Sequence, residues 1–216
     1  MGIPVLIYGR SGTGKSRSLK NFGEDEITLI NVEKKPLPFR KKFKYTVITD
    51  NYNTIQKALS RTPTDTVVID DAGYLLTNMF MRGHSDRGSG ASTYDLYNDI
   101  GDRFWNLFES IKALPDNKIV YVIMHEEEND SGTTKLKMLG KLLEQKVCVE
   151  GMVTIVIRCM CDGIKHYFCV RNSGKDITKT PEDMFEKDEI ENDLKAVDTA
   201  IRKYYEIEVS KNDTTV

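Results

Sequence analysis

Ile3-Pro4-Val5-Leu6-Ile7-Tyr8 runs directly into Gly9-Arg10-Ser11-Gly12-Thr13-Gly14-Lys15-Ser16, and the second stretch fills the pattern G-x-x-x-x-G-K-[ST] without a mismatch. Backbone N–H groups can close on a chain of phosphates only where side chains are absent, and Gly9, Gly12 and Gly14 provide that room. The apolar run is a buried strand in the making. Beyond the loop, Leu19 and Phe22 fall on one face of a helix expected to begin near Gly14, with its positive end toward the anion. Strand, glycine loop and helix together are the context a P-loop requires. In that reading Arg10, Ser11 and Thr13 complete the cradle, Lys15 reaches the β- and γ-phosphates, and the Ser16 hydroxyl ligates Mg²⁺.

The chain has 216 residues, which suits one α/β domain with a small appendage. Its formal net charge of −2 provides no global field for DNA or membrane, so any nucleic-acid affinity must come from local patches. Cys148, Cys159, Cys161 and Cys169 are unevenly spaced and read as reduced thiols. Met1 to Tyr8 is too short for a signal peptide, and no run of about eighteen apolar residues occurs, so a soluble, cytoplasmic protein without membrane contact is expected.

Ile27 to Val32 reads as a second strand ending at Glu33, an acid at the edge where open α/β sheets place ligands. Lys34 to Lys44 holds Lys34, Lys35, Arg40, Lys41, Lys42 and Lys44, interleaved with Phe39 and Phe43. It reads either as a phosphate contact for nucleic acid with a stacking aromatic, or as a solvated loop, as charge runs usually are. Tyr45 to Thr49 is a short strand and Asn53 to Ser60 a short helix. Val67, Val68 and Ile69 then form a buried parallel strand that delivers Asp70 and Asp71 to the P-loop edge, the Walker B pattern. Asp70 is the first candidate for the Mg²⁺ shell. Asp71 assists or caps the helix that follows.

Arg82 to Thr93 reads as a mobile loop. A long helix with Leu96, Ile100, Phe104, Leu107, Phe108 and Ile111 at helical spacing ends at Pro115 and Asp116, with Trp105 as core packing beside the stripe. Ile119 to Met124 is a strand ending at His125, either a γ-phosphate sensor or a structural histidine. Glu126 to Lys137 reads as a second mobile loop and Gly140 to Val147 as a helix. Val153 to Cys159 and Lys165 to Arg171 form a hairpin through Asp162 and Gly163. Cys159, Cys161, His166 and Cys169 have a metal-like spacing, but strand parity puts His166 and Cys169 on opposite faces, which favours small buried groups over zinc. Thr180-Pro181-Glu182 is a helix start, and Ile190, Leu194, Val197, Ile201, Tyr204 and Tyr205 stripe a second helix that docks on the domain or on a partner. The expected division is a domain over 1–175, a helical appendage over 176–209 and a tail over 210–216.

This order of parts resembles a RecA-type ATPase core, and most closely the small phage and prophage nucleotide-binding proteins described as "AAA domain" proteins, some of whose relatives act as single-strand annealing recombinases. The resemblance covers Gly2 to Arg171. It implies a mostly parallel sheet flanked by helices and closed by a C-terminal hairpin, ATP and Mg²⁺ as ligands, and ATP hydrolysis serving DNA recombination or replication in a host cytoplasm. Single-stranded DNA, a single-strand binding or other recombination protein, and further copies of the chain are the implied partners. By motif position Glu33 would polarise the attacking water, with Asp71 next in line because acids there serve AAA-type ATPases. His125, in place of the amide usual in RecA, would couple nucleotide state to DNA loops at Arg82 to Thr93 and Glu126 to Lys137, the latter opening with three acids. Arg158 and Arg171 read either as fingers for a neighbour's phosphate or as partners of surface acids. Two other classes fit a P-loop: a nucleotide or small-molecule kinase, which needs an Arg-rich lid that Arg82 to Thr93 does not provide, and an ATP-switched protein-binding module.

Overall fold

Strand β1 (Ile3–Gly9) lies inside the sheet, and its side chains alternate between two cores. Leu6 and Tyr8 face one layer, Val5 and Ile7 the other. Both faces are covered, which is why the strand reads as an unbroken apolar run. The computed structural model describes residues 1–85, 91–140, 143 and 147–208. Among these, the remaining strands are β2 (Ile27–Asn31), β3 (Tyr45–Ile48), β4 (Thr66–Asp70), β5 (Ile119–Glu128), β6 (Thr134–Leu136), β7 (Ile155–Cys161), β8 (His166–Cys169) and β9 (Glu189–Glu191). Their order is β3-β2-β4-β5-β1-β7-β8-β9, with β6 paired to β5. The pairings from β3 through β7 are parallel, and β7-β8-β9 and β5-β6 are antiparallel. The result is the mostly parallel α/β sheet of a P-loop fold.

Helices α1 (Tyr52–Arg61), α2 (Gly73–Gly83) and α3 (Ala91–Lys112) cover one face, contributing Ile55, Leu59, Leu75, Ile100, Phe104 and Phe108 to its core. Asn51 caps α1, its side chain accepting from Thr54 N at 3.1 Å. On the other face lie Leu19 and helix α4 (Leu194–Tyr204), whose Leu194, Val197 and Ile201 are fully buried. Among the described residues no helix is long and apolar enough to cross a membrane.

Several expected elements differ. The turn after the P-loop is a six-residue 3-10 helix, Ser16–Asn21, rather than an α-helix; Lys15 O accepts from both the Ser18 hydroxyl at 2.6 Å and the Ser18 N–H at 3.3 Å, the i→i+3 reach of a 3-10 turn. Arg82 and Gly83 belong to α2 and Ala91 to Thr93 to α3, so the first expected loop is much shorter; its residues 86–90 lie outside the described ones. Glu126 to Lys137 is a β-hairpin, since β5 continues through Glu128 and pairs Glu126 with Leu136. Trp105 is 41% exposed rather than core. The expected helix over Gly140 to Val147 falls largely outside the described residues. No helix starts at Thr180: its hydroxyl bonds Val170 O at 2.9 Å, and Asp183 at φ 61° is incompatible with continuing a helix. Ile190 is not on the last helix but on β9, opposite Phe168. Through β9 and α4 the segment expected as an appendage joins the main sheet and its core.

A buried ion pair fixes how α4 docks. Arg202 Nε donates to Asp198 Oδ2 at 2.7 Å and its two terminal nitrogens to Asn117 O and Thr66 Oγ1, both at 2.9 Å. Asp198 Oδ1 accepts from Thr66 Oγ1 at 3.0 Å and Tyr121 OH at 3.1 Å. Arg202→Met strands the Asp198 carboxylate without its cation, so a loss of about 3 kcal/mol is expected in urea unfolding, seen as a lower midpoint with an unchanged slope. An unchanged midpoint would mean the pair holds nothing in place.

Candidate nucleotide site

Strands β4, β5 and β1 are consecutive and parallel, so their carboxyl ends meet along one edge. Gly9 is in register with His125, and Ile69 with Val122. The edge therefore presents Asp70, His125 and the start of the P-loop side by side. The loop is seated tightly on its neighbours. A Cβ on Gly9 would stand 2.4 Å from Cys159 O, and one on Gly14, at φ 99°, would stand 2.8 Å from His166 Nδ1. The same neighbours brace it: Thr13 O accepts from His166 Nδ1 at 2.8 Å and from Cys159 Sγ at 3.2 Å. A carbonyl only accepts, so Nδ1 carries the proton on His166. Asn192 donates to Cys159 Sγ at 3.3 Å and accepts from Arg17 at 3.2 Å. Lys15 Nζ crosses the loop, donating to Gly9 O and Arg10 O at 2.8 Å. Burial lowers the pKa of that ammonium, with nearby acids opposing.

Ser16 Oγ donates to Asp70 Oδ1 at 2.9 Å, joining the P-loop to the Walker B strand. Asp70 is 8% exposed, and burial, with Asp71 next to it, pushes its pKa up to about 6. Burial acts against the charge on Asp71 as well, but His125 and Lys35 outweigh it and hold that pKa down to about 2. Lys35 is ion-paired with Asp71 Oδ2, and His125 Nε2 lies 3.4 Å from Asp71 Oδ1. Lys15 Nζ lies 3.4 Å from His125 Nδ1. An ammonium can only donate, so Nδ1 accepts and Nε2 carries the proton toward Asp71. Tyr74 sets its ring edge against His125, with centroids 6.0 Å apart. Beside this cluster a cavity of about 490 Å³ is lined by Arg10, Lys35, Tyr74, Thr77, His125 and Glu126. A slightly larger one, about 620 Å³, lies at the opposite edge around Thr66 and Asp198, away from the P-loop.

Among the described residues no three His, Cys, Asp or Glu side chains converge on a common metal position. A hydroxyl beside one carboxylate is the donor set of a Mg²⁺ that takes its other ligands from phosphates and water, so Ser16 and Asp70 fit that ion.

Lys15, Ser16, Asp70, Asp71 and His125 thus come together. Glu33 does not join them: its Oε1 accepts from Asn78 Nδ2 at 2.9 Å, in a cluster with Asp50 and Arg82. The basic stretch is partly structural. Phe43 is buried with Phe39 packed edge-on to it, and Lys41 Nζ is held by the carbonyls of Lys20 and Phe22. Arg158 is held by Glu126 in a two-pronged pair at 2.9 and 3.1 Å, and Arg171 by Asp188 at 3.2 Å, so both pair with acids of their own chain. Arg10 reaches Glu126 and Glu128 on the β5–β6 hairpin. Cys161 is in register with His166, while Cys169 sits opposite Arg158. Lys35 and Asn192 carried no motif signal, and His166 only its spacing with the cysteines. Lys35 was hidden in a charge run, and the other two reach the loop from more than 150 residues away in sequence.

A family model described as "AAA domain" matches residues 1–188, and the chain belongs to that family. The AAA domain is a nucleotide-binding, ATPase-type module that typically works with Mg²⁺. No curated protein matches the chain.

The pKa of Asp70 yields a stability test. With a folded value of about 6 against 3.8, the native state holds the proton more tightly. Stability is then full below the lower value and is lost as pH rises through the upper one. Asp70→Asn removes that loss, keeps an acceptor for Ser16, and is expected to stabilise the nucleotide-free protein by about 3 kcal/mol near neutral pH and by almost nothing in acid. Thermal melts at both pH values check it; equal effects would refute the burial account.

Proposed function

We propose that this protein binds ATP with Mg²⁺ at the P-loop edge and hydrolyses it to ADP and phosphate. The observation that carries the reading is the 2.9 Å hydrogen bond from Ser16 to Asp70, which puts the two oxygen ligands a nucleotide-bound Mg²⁺ requires on one spot beside Lys15. Bound there, Mg²⁺ would draw charge from the terminal phosphates. Lys15 neutralises the β- and γ-phosphates, and the loop N–H groups hold the phosphate chain. Asp71 and the proton-bearing Nε2 of His125, which flank the same edge, orient the attacking water, and Asp71 accepts its proton. Asp71 takes this role over Glu33 because it sits on the His125–Lys15 line while Glu33 is engaged by Asn78.

The output we propose is work on single-stranded DNA, supported by the exposed Lys34, Arg40, Lys42 and Lys44. The acidic, internally paired β5–β6 hairpin adds nothing to that surface. Neighbouring copies or a single-strand binding protein would be the protein partners.

Phosphate release with and without Mg²⁺ tests the hydrolysis. Lys15→Ala is expected to abolish nucleotide binding. Asp71→Asn should retain binding within about twofold while turnover falls about a hundredfold. Glu33→Gln is expected to stay near wild-type turnover; the reverse pattern for the two acids would return the base to Glu33. Fluorescent single-stranded DNA, titrated at low salt with and without a non-hydrolysable analogue, tests the output: absence of binding in both states sinks it.

A further inference from the structure

The least accounted-for charge at the edge is Lys35, from the stretch after β2. It lies in the wall of the cavity with Tyr74 and His125, paired with Asp71 Oδ2, yet its side chain is 54% exposed. Its ammonium also stands over the Tyr74 ring, 5.4 Å from the centroid, so an aromatic face supports it as well as the acid. The backbone on both sides of the pair is strained. Lys34 has φ 60° and Asp71 φ 59°, two of the four non-glycine residues in the left-handed region among the described residues. A left-handed residue thus precedes the lysine on one segment, and the aspartate itself is left-handed on the other.

The pairing has a chemical consequence for the reading above, on which this inference rests. Lys35 and His125 both hold Asp71. A terminal phosphate brings about two negative charges to the same edge, against one on the carboxylate, and competes for the lysine. We propose that Lys35 is a catalytic cation for the terminal phosphate of a nucleoside triphosphate, passing from Asp71 to that phosphate when the nucleotide binds. Asp71 is then left with His125 alone. Water attacks the terminal phosphorus as its proton passes to Asp71; the bond to the bridging oxygen breaks and its electron pair leaves with the diphosphate. The inorganic phosphate departs, the proton passes to solvent, and Lys35 returns to Asp71. A diphosphate, lacking the terminal group, leaves the Lys35–Asp71 pair intact, so the protein discriminates triphosphate from diphosphate through a residue outside the P-loop.

Binding of ADP and of a non-hydrolysable ATP analogue, each with Mg²⁺, together with steady-state hydrolysis, tests this on the full chain, Lys35→Met and Lys35→Arg. Lys35→Met is expected to hold ADP within about twofold, to bind the analogue about tenfold more weakly and to turn over about a hundredfold more slowly. Lys35→Arg should recover most of both losses. Lys35→Met leaves the buried Asp71 with His125 alone, so a modest fall in melting temperature is expected, and melts are recorded for each variant so that binding is compared on folded protein. Equal affinity of Lys35→Met and wild type for the analogue overturns the proposal, and so does an equal loss for ADP and analogue, which marks a structural role. Failure of the wild type to bind either ligand takes down the nucleotide reading itself, and this proposal with it.

Discussion

The parallel alignment of β4, β5 and β1 is the constraint on which the site depends. Because adjacent parallel strands run the same way, the residues that follow their apolar cores emerge at one edge, within reach of one another. A single strand, β5, separates the P-loop strand from the Walker B strand, so His125 is interposed between Lys15 and Asp71 as a matter of topology. The helices on one face, with the 3-10 turn and α4 on the other, bury both sides of these strands and leave their ends as the place where polar side chains can gather.

That gathering is electrostatically expensive. Two adjacent buried carboxylates raise each other's cost, and the site answers with different partners: a hydroxyl for Asp70, and a lysine and an imidazole for Asp71. The pair is pushed apart in basicity, one toward protonation and the other toward a permanent charge. A divalent cation at Asp70 and a terminal phosphate at Lys35 would reverse both conditions, so the same charges that burden the fold are those a nucleotide would relieve. On the far side of the P-loop the brace holds no carboxylate: His166, Cys159 and Asn192 hold Thr13 and Arg17 by hydrogen bonds and close packing.

Long apolar runs were legible in sequence because a strand covered on both faces must be apolar throughout; β1, β2, β4 and the first half of β5 follow that rule. The second half of β5 did not, since Glu126-Glu127-Glu128 has the composition of a loop. It is a strand because Arg158, on β7, neutralises the buried Glu126 and Arg10 pairs with Glu128. Ile190 fitted a helical stripe by spacing, yet it pairs with Phe168 at a sheet edge, and the helix begins only where Asp193 caps it, accepting from Lys195 N at 3.0 Å. Trp105 followed the apolar stripe of α3 closely in sequence but lies on a flank of the helix that leaves it 41% exposed.

By itself the sequence determined the anion-binding loop, the strands that carry it and the acid that faces it, because those depend on local spacing: glycines where the chain must bend around a ligand, and apolar residues where it must be buried. Which acid stands with His125, which lysine stands with that acid, and what supports the loop from beneath were decided only by the tertiary structure. These contacts join residues from separate strands and loops, and whether Glu33 meets Asn78 or the P-loop depends on how α2 packs against the end of β2. Spacing along a chain carries no record of that distance.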